Sequence, residues 1–340
     1  MSVGYQSIEI DSFDPSIYSE VVADAHFEQR LLKGGRFSAQ LRRVSLPRSR
    51  LDCGRYSLPC LGRGAMPDGW MNVGFTLRDG EPAWVNGLHL HADDIQVYAE
   101  GTPIEYRCVP DATWFAFQVR REELQTQSLA VNGSELSLPE HGMQNCRLSP
   151  AAAARIHGCY GRLMRFGDKN LRSLPVDLHL ASLLEEQLLT EVVLAIRASV
   201  IHKDGRTERA VERRLAILNA GKNYLSHHLA ASFSMRELAA ATRTSERSLE
   251  YLFHDAYGVS PRNWFLIARL HRVRQELLTA VGDRVSIRAL ANRWGFGHGG
   301  RFAAAYERLF EESPRETLSD RRYTQWRRAR SHEVSGCHSL

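Results

Sequence analysis

The sequence predicts an α+β protein. A β-rich N-terminal domain, either barrel or sandwich, leads through a helical segment into an all-α C-terminal domain. Three observations carry this reading. Up to about residue 145, Gly and Pro punctuate short β-prone runs. From Asp177 onward, apolar residues recur at helical spacing. In the last third, two stretches repeat the same apolar anchors 52 or 53 residues apart.

With 340 residues, 43% hydrophobic and 24% charged, the chain has the composition of a globular protein with room for two cores. No run reaches about 18 uncharged apolar residues, so no membrane span is expected, and "MSVGYQSIEIDSFDP" lacks the pattern of a secretion signal. Six cysteines (Cys53, Cys60, Cys108, Cys146, Cys159, Cys337) include no C-x-x-C pair. That argues against a zinc site or disulfide framework and suits a reducing cytoplasm. The net charge of +5 is unevenly placed: residues 206–331 hold 23 Lys+Arg against 13 Asp+Glu, and the remainder 21 against 26. Only the C-terminal part is suited to a polyanion.

In chain order, Gly/Pro-rich stretches such as "LPCLGRGAMPDGW" and "LRDGEPAWVNG" separate strands including Trp70–Leu77 and Thr113–Val119, defining a β-rich domain over 1–148. At Ser149-Pro150 a capping serine and a first-turn proline open a helix. Over Asp177–Val200, Leu180, Leu184, Leu188, Val192 and Ile196 fall four apart and Leu183, Leu189 and Val193 widen the apolar face. That face either packs on the sheet domain or is shared with a second subunit, so 149–205 is a linker or homodimerisation segment. Polar "IHKDGRTE" marks the boundary to a helical domain over 206–331, and a disordered tail is expected over 332–340.

The repeat lies in that helical domain. Leu238-Ala239, Leu249, Phe253 and Ser260-Pro261 return as Leu290-Ala291, Phe302, Tyr306 and Ser313-Pro314. In the first copy Ser234 caps "MRELAAAT", Arg243-Thr244 turns, Ser245 caps "ERSLEYLFHDAY" and Gly258 ends it. In the second, Ser286 caps "IRALANRW", "GFGHGG" turns and "RFAAAYERLF" follows. Two short helices joined by a tight turn, the second with a polar exposed half, describe a helix-turn-helix. Between the copies "PRNWFLIARLHRVRQELL" reads as one spacer helix. Two recognition helices so held can enter successive major grooves, about 34 Å apart.

This arrangement resembles the AraC/XylS family of transcription regulators over about the last 110 residues. Gly295-Phe296, Phe302, Tyr306 and Ser313-Pro314 match its signature. Glu311 stands where the family has a glycine, which predicts a different local turn there, whereas the first unit keeps Gly258. Within the family, "NRWGFGHGGRFAAAYERLFEESP" and, more loosely, "LLKGGRFSAQLRRVSL" are most similar to regulators of ethanolamine-utilisation operons. The resemblance implies a cupin-like sensing domain, an activator acting with RNA polymerase on double-stranded DNA, and a small-molecule effector. A ligand-independent regulator, controlled by a protein partner or by expression level, is the alternative.

By helix register, Ser245, Arg247, Ser248, Glu250 and Tyr251 face DNA from the first unit. Arg247 suits guanine, Glu250 suits cytosine N4, and Tyr251 suits a thymine methyl or a phosphate. The equivalent face of the second helix is His298, Gly299, Arg301 and Ala304, poor in hydrogen-bonding side chains, so the first unit should supply most base discrimination. Arg262, Arg288 and Arg293, near helix ends, are expected phosphate contacts. In the N-terminal domain His89 and His91 alternate as strand neighbours would but lack a third ligand, so no metal or other cofactor is expected. Arginines 42, 43, 48, 50, 55 and 63 form either a solvated face or an anion site, and Trp70, Trp84, Tyr98, Tyr106, Trp114 and Phe117 fill a core or line a pocket. No nucleophile–base motif suggests an enzyme.

Overall fold

A computed structural model describes residues 3–13, 21–77, 83–170, 177–201, 205–280 and 286–319; the expected tail at 332–340 lies outside them. The chain forms two compact units: one holds the residues up to Gln29 together with Phe37–Arg213, the other Arg30–Arg36 together with the chain from Arg214 onward.

The first unit contains two antiparallel sheets, neither closed into a barrel. The larger runs in the order β1 (Gly4–Ile10), β3 (Ala39–Ser45), β4 (Ser49–Tyr56), β11 (Thr113–Val119), β6 (Met71–Leu77), β9 (Asp94–Tyr98), β12 (Met143–Arg147) and β13 (Val200–Ile201). The smaller runs β2 (Phe27–Leu31), β5 (Cys60–Ala65), β10 (Pro103–Cys108), β7 (Trp84–Val85), β8 (Leu88–His89). Alternation along the central strands separates two faces. Val73, Phe75, Ile95, Val97, Phe115, Phe117 and Val119 join one core with residues of α2 (Pro150–Asn170) and α3 (Leu178–Ala198). Tyr160 of α2 anchors it, its ring 4.5 Å from Phe75 and 5.2 Å from Phe115. The residues between them, among them Asn72, Gly74, Trp114 and Ala116, line a space toward the smaller sheet.

Two elements differ from the sequence reading. α1 (Arg121–Asn132) interrupts the β-rich stretch; its acidic first turn and the left-handed Gly133 that ends it are helix signals a strand lacks. The segment after residue 148 is also not separate from the sheet domain: α2 and α3 cover the sheet, and β13 extends it. Of the two readings of α3, packing holds for its C-terminal half, where Leu188, Leu189, Val192, Val193 and Ile196 are buried. At its start Leu178, Leu180 and Leu183 stay 60%, 37% and 53% exposed.

Of the six crowded arginines, Arg63 is exposed, as a solvated face would have it, and the other five have carboxylate partners. Arg42 pairs with Asp168 at 3.5 Å, Arg43 with Asp52, Arg50 with Asp24, and Arg55 with Asp111 at 3.0 Å. Arg48 reaches Glu123, Glu185 and Glu186, and Glu185 is itself buried and accepts from Ser49 Oγ at 2.6 Å. Among the aromatics, Tyr98, Tyr106 and Trp114 line the space between the sheets, Phe117 faces the helix-covered core, and Trp70 lies between the guanidiniums of Arg50 and Arg120. His89 closes β8 while His91 falls outside the strand, its amide bound to Asp94 Oδ2 at 2.9 Å, so the two do not share a strand face.

The second unit is helical: α4 (Gly205–His227), α5 (Met235–Thr242), α6 (Glu246–Tyr257), α7 (Pro261–Thr279), α8 (Ile287–Arg293), α9 (Gly299–Phe310) and α10 (Pro314–Ser319). Ser234, Ser245 and Ser286 each accept the amide three residues on, as predicted, and Ser260 caps α7 in the same way. Ser313-Pro314 starts α10 just as Ser260-Pro261 starts α7. Each Ser-Pro pair of the repeat thus opens the next helix.

Candidate nucleic-acid interface

In the first unit, α5 and α6 close over Leu238, Leu249, Leu252 and Phe253, all buried. The Phe253 ring meets Tyr257 at 5.5 Å and Trp264 of α7 at 6.2 Å. Thr242 turns its hydroxyl back onto the Leu238 carbonyl, and Arg243 adopts the left-handed conformation (φ 51°) that ends α5. Burial of one side of α6 leaves the other in solvent. Arg247 and Glu250 are exposed, and Tyr251 keeps 64% of its surface open, a large apolar area in mid-helix. Ser245 Oγ caps the helix through the Ser248 amide at 3.1 Å and contacts the Ser248 hydroxyl at 2.8 Å, so both serines also hold the helix start.

The second unit repeats this design with different polar fittings. Leu290, Ala291, Phe302, Tyr306 and Leu309 are buried, and Phe296 from the turn packs on Phe302 at 5.0 Å. Arg274 of α7, only 1% exposed, forms an ion pair with Glu312 and lies 3.5 Å from Tyr306 Oη, which contacts Thr317 Oγ1 at 2.8 Å. On the open side His298, Gly299, Arg301 and Ala304 are exposed as expected. His298, however, is the N-cap of α9 as Ser245 is of α6. The 53-residue offset therefore matches Gly299 to Glu246 and Gly300 to Arg247. The consequence for readout is the same: the Arg247 position has no side chain in the second helix.

The turn after α9 also corrects an expectation. Glu311 adopts φ 54° and its amide bonds the Glu307 carbonyl at 2.8 Å, as Gly258, at φ 70°, bonds His254 at 2.9 Å. The same left-handed cap forms without glycine, at a cost of about 1 kcal/mol.

What holds the two units together was invisible in the sequence. α7, 19 residues and about 28 Å long, carries Arg269 at its middle. This guanidinium donates to the carbonyls of Leu229 and Ala231, before α5, and to Gly295 in the second turn at 3.5 Å. It also lies 4.2 Å from the Phe265 ring and 5.9 Å from Phe296. Burial moves its pKa below the usual arginine value. A residue whose acceptors lie 26 to 40 positions away leaves no local signal.

Of the expected phosphate contacts, Arg262 and Arg288 are exposed, Arg262 over the Phe233 ring at 4.9 Å. Arg293 is exposed but ion-paired with Glu276 at 2.9 Å, whose other oxygen accepts from Trp294 Nε1 at 2.7 Å. No His/Cys/Asp/Glu cluster able to hold a metal occurs among the described residues, and none of their helices is long and apolar enough to cross a membrane.

Residues 238–320 match the family model "Helix-turn-helix domain". The chain is 33% identical over 102 residues to a probable thc operon regulatory protein of Rhodococcus erythropolis, a match covering 30% of this chain and 31% of that protein. It is 34% identical over 96 residues to XylDLEGF operon transcriptional activator 2 of Pseudomonas putida, covering 28% of this chain and 61% of that one. A crystal structure of a transcriptional regulator with an AraC-type DNA-binding domain from Chromobacterium violaceum aligns at 28% identity and a TM-score of 0.29, over 30% of this chain and 89% of that one. The similarity thus spans a minority to a little over half of these curated relatives' lengths. The duplicated units, their serine caps and the family-model match agree on a helix-turn-helix domain over residues 238–320.

Proposed function

We propose that the whole chain is a sequence-specific DNA-binding transcription regulator, an activator working with RNA polymerase, whose N-terminal domain binds a small-molecule effector. The observation that carries this is the paired design of the helical unit: two helix-turn-helix copies in one register, each with a buried anchor face and an open recognition face. On this reading α6 and α9 enter successive major grooves. Arg247, Glu250 and Tyr251 discriminate bases, Arg301 is the one strong reader of α9, and Ser245, Ser248, His298, Gly299 and Ala304 fit the groove. Arg262 and Arg288 hold phosphates, while Arg293 must exchange Glu276 for one. The open leucines at the start of α3 support a homodimer through 149–200. The likeness to ethanolamine-utilisation regulators makes such an operon the first to test, without fixing the inducer.

The test is selection of a preferred duplex from a random pool, followed by binding isotherms in defined salt. Arg247→Ala should weaken the selected site by about 1–3 kcal/mol and relax one base position. Arg288→Ala should weaken all duplexes alike and lower the salt slope by about 1. A protein that selects no duplex refutes the proposal.

A further inference from the structure

On the β6–β11 ladder, Gly74 stands directly opposite Ala116. The Tyr98 ring crosses above Gly74, and beside it a cavity remains, lined by Asn72, Trp114 and Ala116 and roofed by the smaller sheet through Val85, Ile104 and Tyr106. The cavity measures about 80 Å³, room for roughly half a dozen water-sized groups.

Its polar chemistry is narrow. Asn72 is fully buried, and neither its Oδ1 nor its Nδ2 has a hydrogen-bond partner among the described residues. Trp114 Nε1, also shielded, has none among them either. Two other polar side chains of the lining are occupied: Gln96 Nε2 donates to Asn145 at 3.1 Å, and Arg107, the one charged side chain there, is engaged. A buried amide with both halves unmatched is a costly arrangement in the protein alone and a ready partner for a complementary group.

We propose that this cavity binds a small, uncharged, largely apolar molecule bearing an amide or lactam. The ligand N–H donates to Asn72 Oδ1 and its carbonyl accepts from Asn72 Nδ2. A carboxylate only accepts: it would leave Asn72 Oδ1 facing negative charge and would be buried as an ion. The assignment rests on the reading of the N-terminal domain as the sensor.

The test uses the full chain and three compounds of about six heavy atoms, matched to the cavity: the lactam 2-pyrrolidinone, butyrate and cyclopentane. Thermal unfolding and calorimetric titration are expected to show 2-pyrrolidinone bound about tenfold more tightly than cyclopentane, with butyrate weakest. Asn72→Leu should leave the melting temperature of the unliganded protein unchanged or raised, since the lost amide had no partner, and should erase the advantage of the lactam. Ala116→Leu should fill the cavity and abolish binding of all three. Tighter binding of butyrate, undiminished lactam binding by Asn72→Leu, or no shift with any compound overturns the proposal. Duplex affinity is measured in parallel. Asn72-dependent lactam binding that leaves duplex affinity untouched upholds the site and overturns the sensory reading.

Discussion

Arg269→Met removes a guanidinium while keeping an unbranched apolar stem in place. Its three acceptors, Leu229, Ala231 and Gly295, belong to the chain before α5 and the second turn, so the change acts on the coupling of the two helix-turn-helix units rather than on either alone. A hydrogen bond to a charged group is worth about 1.5–3 kcal/mol, but Arg269 is half-exposed and its carbonyl partners can partly recover water. The contact with Phe265 is partly kept by the methionine stem. We therefore expect a loss of about 2–3 kcal/mol from the helical unit. For a unit of about 100 residues this lowers the melting temperature by roughly 10 °C. The assay is tryptophan fluorescence during thermal unfolding of the full chain, since Trp264 and Trp294 both lie in this unit. Duplex affinity should fall by more than stability alone explains, because two loosely linked recognition helices lose the benefit of a fixed spacing. Arg269→Lys should recover little, as an ammonium cannot reach three separated carbonyls. A melting temperature within about 1 °C of wild type, with unchanged duplex affinity, would show that α7 alone sets the spacing and that the clamp is incidental.

Further outcomes follow from the same geometry. Glu311→Gly should stabilise the unit by about 0.5–1 kcal/mol in denaturant unfolding, because glycine adopts φ 54° without strain; a loss would mean that Glu311 serves another purpose. Gly295→Ala should destabilise by about 2 kcal/mol or more, as the added carbon meets the Ala230 carbonyl oxygen at 2.8 Å and the Arg269 guanidinium at 2.7 Å at a residue with φ 78°; near-neutral behaviour would count against the turn described. His271 is buried, and burial pushes its pKa down to about 3. Below its ordinary value of about 6.5 the unfolded chain binds a proton that the folded one refuses, so stability present above pH 6.5 is lost as the pH falls toward 3, by about 2 kcal/mol at pH 5. His271→Gln should flatten that part of the curve, and an unchanged slope would assign the loss to other groups. Leu183→Glu should convert a dimer to monomer in sedimentation if the open start of α3 is the subunit contact.

The sequence alone determined a good deal of this protein. Helix caps, the change from strand to helix period and the repeated anchors are local or periodic signals. They located the strand Thr113–Val119, the helix from Asp177 and both helix-turn-helix units, because one-sided burial writes a period of two or 3.6 into the chain. The exposed faces of α6 and α9 follow from the same period, since whatever lies opposite Leu249 and Phe253, or Phe302 and Tyr306, must meet solvent or a partner. Tertiary structure decided what depends on contacts between distant residues. It paired most of the crowded arginines with acids such as Asp168 and Glu185, set Arg269 as a clamp on three remote carbonyls, and gave Glu311 a conformation its residue type disfavours. It also set Asn72, unpaired among the described residues, against a cavity between the two sheets. Each of these is fixed by strand register or by packing of elements far apart in the chain, which no periodicity within a single segment records.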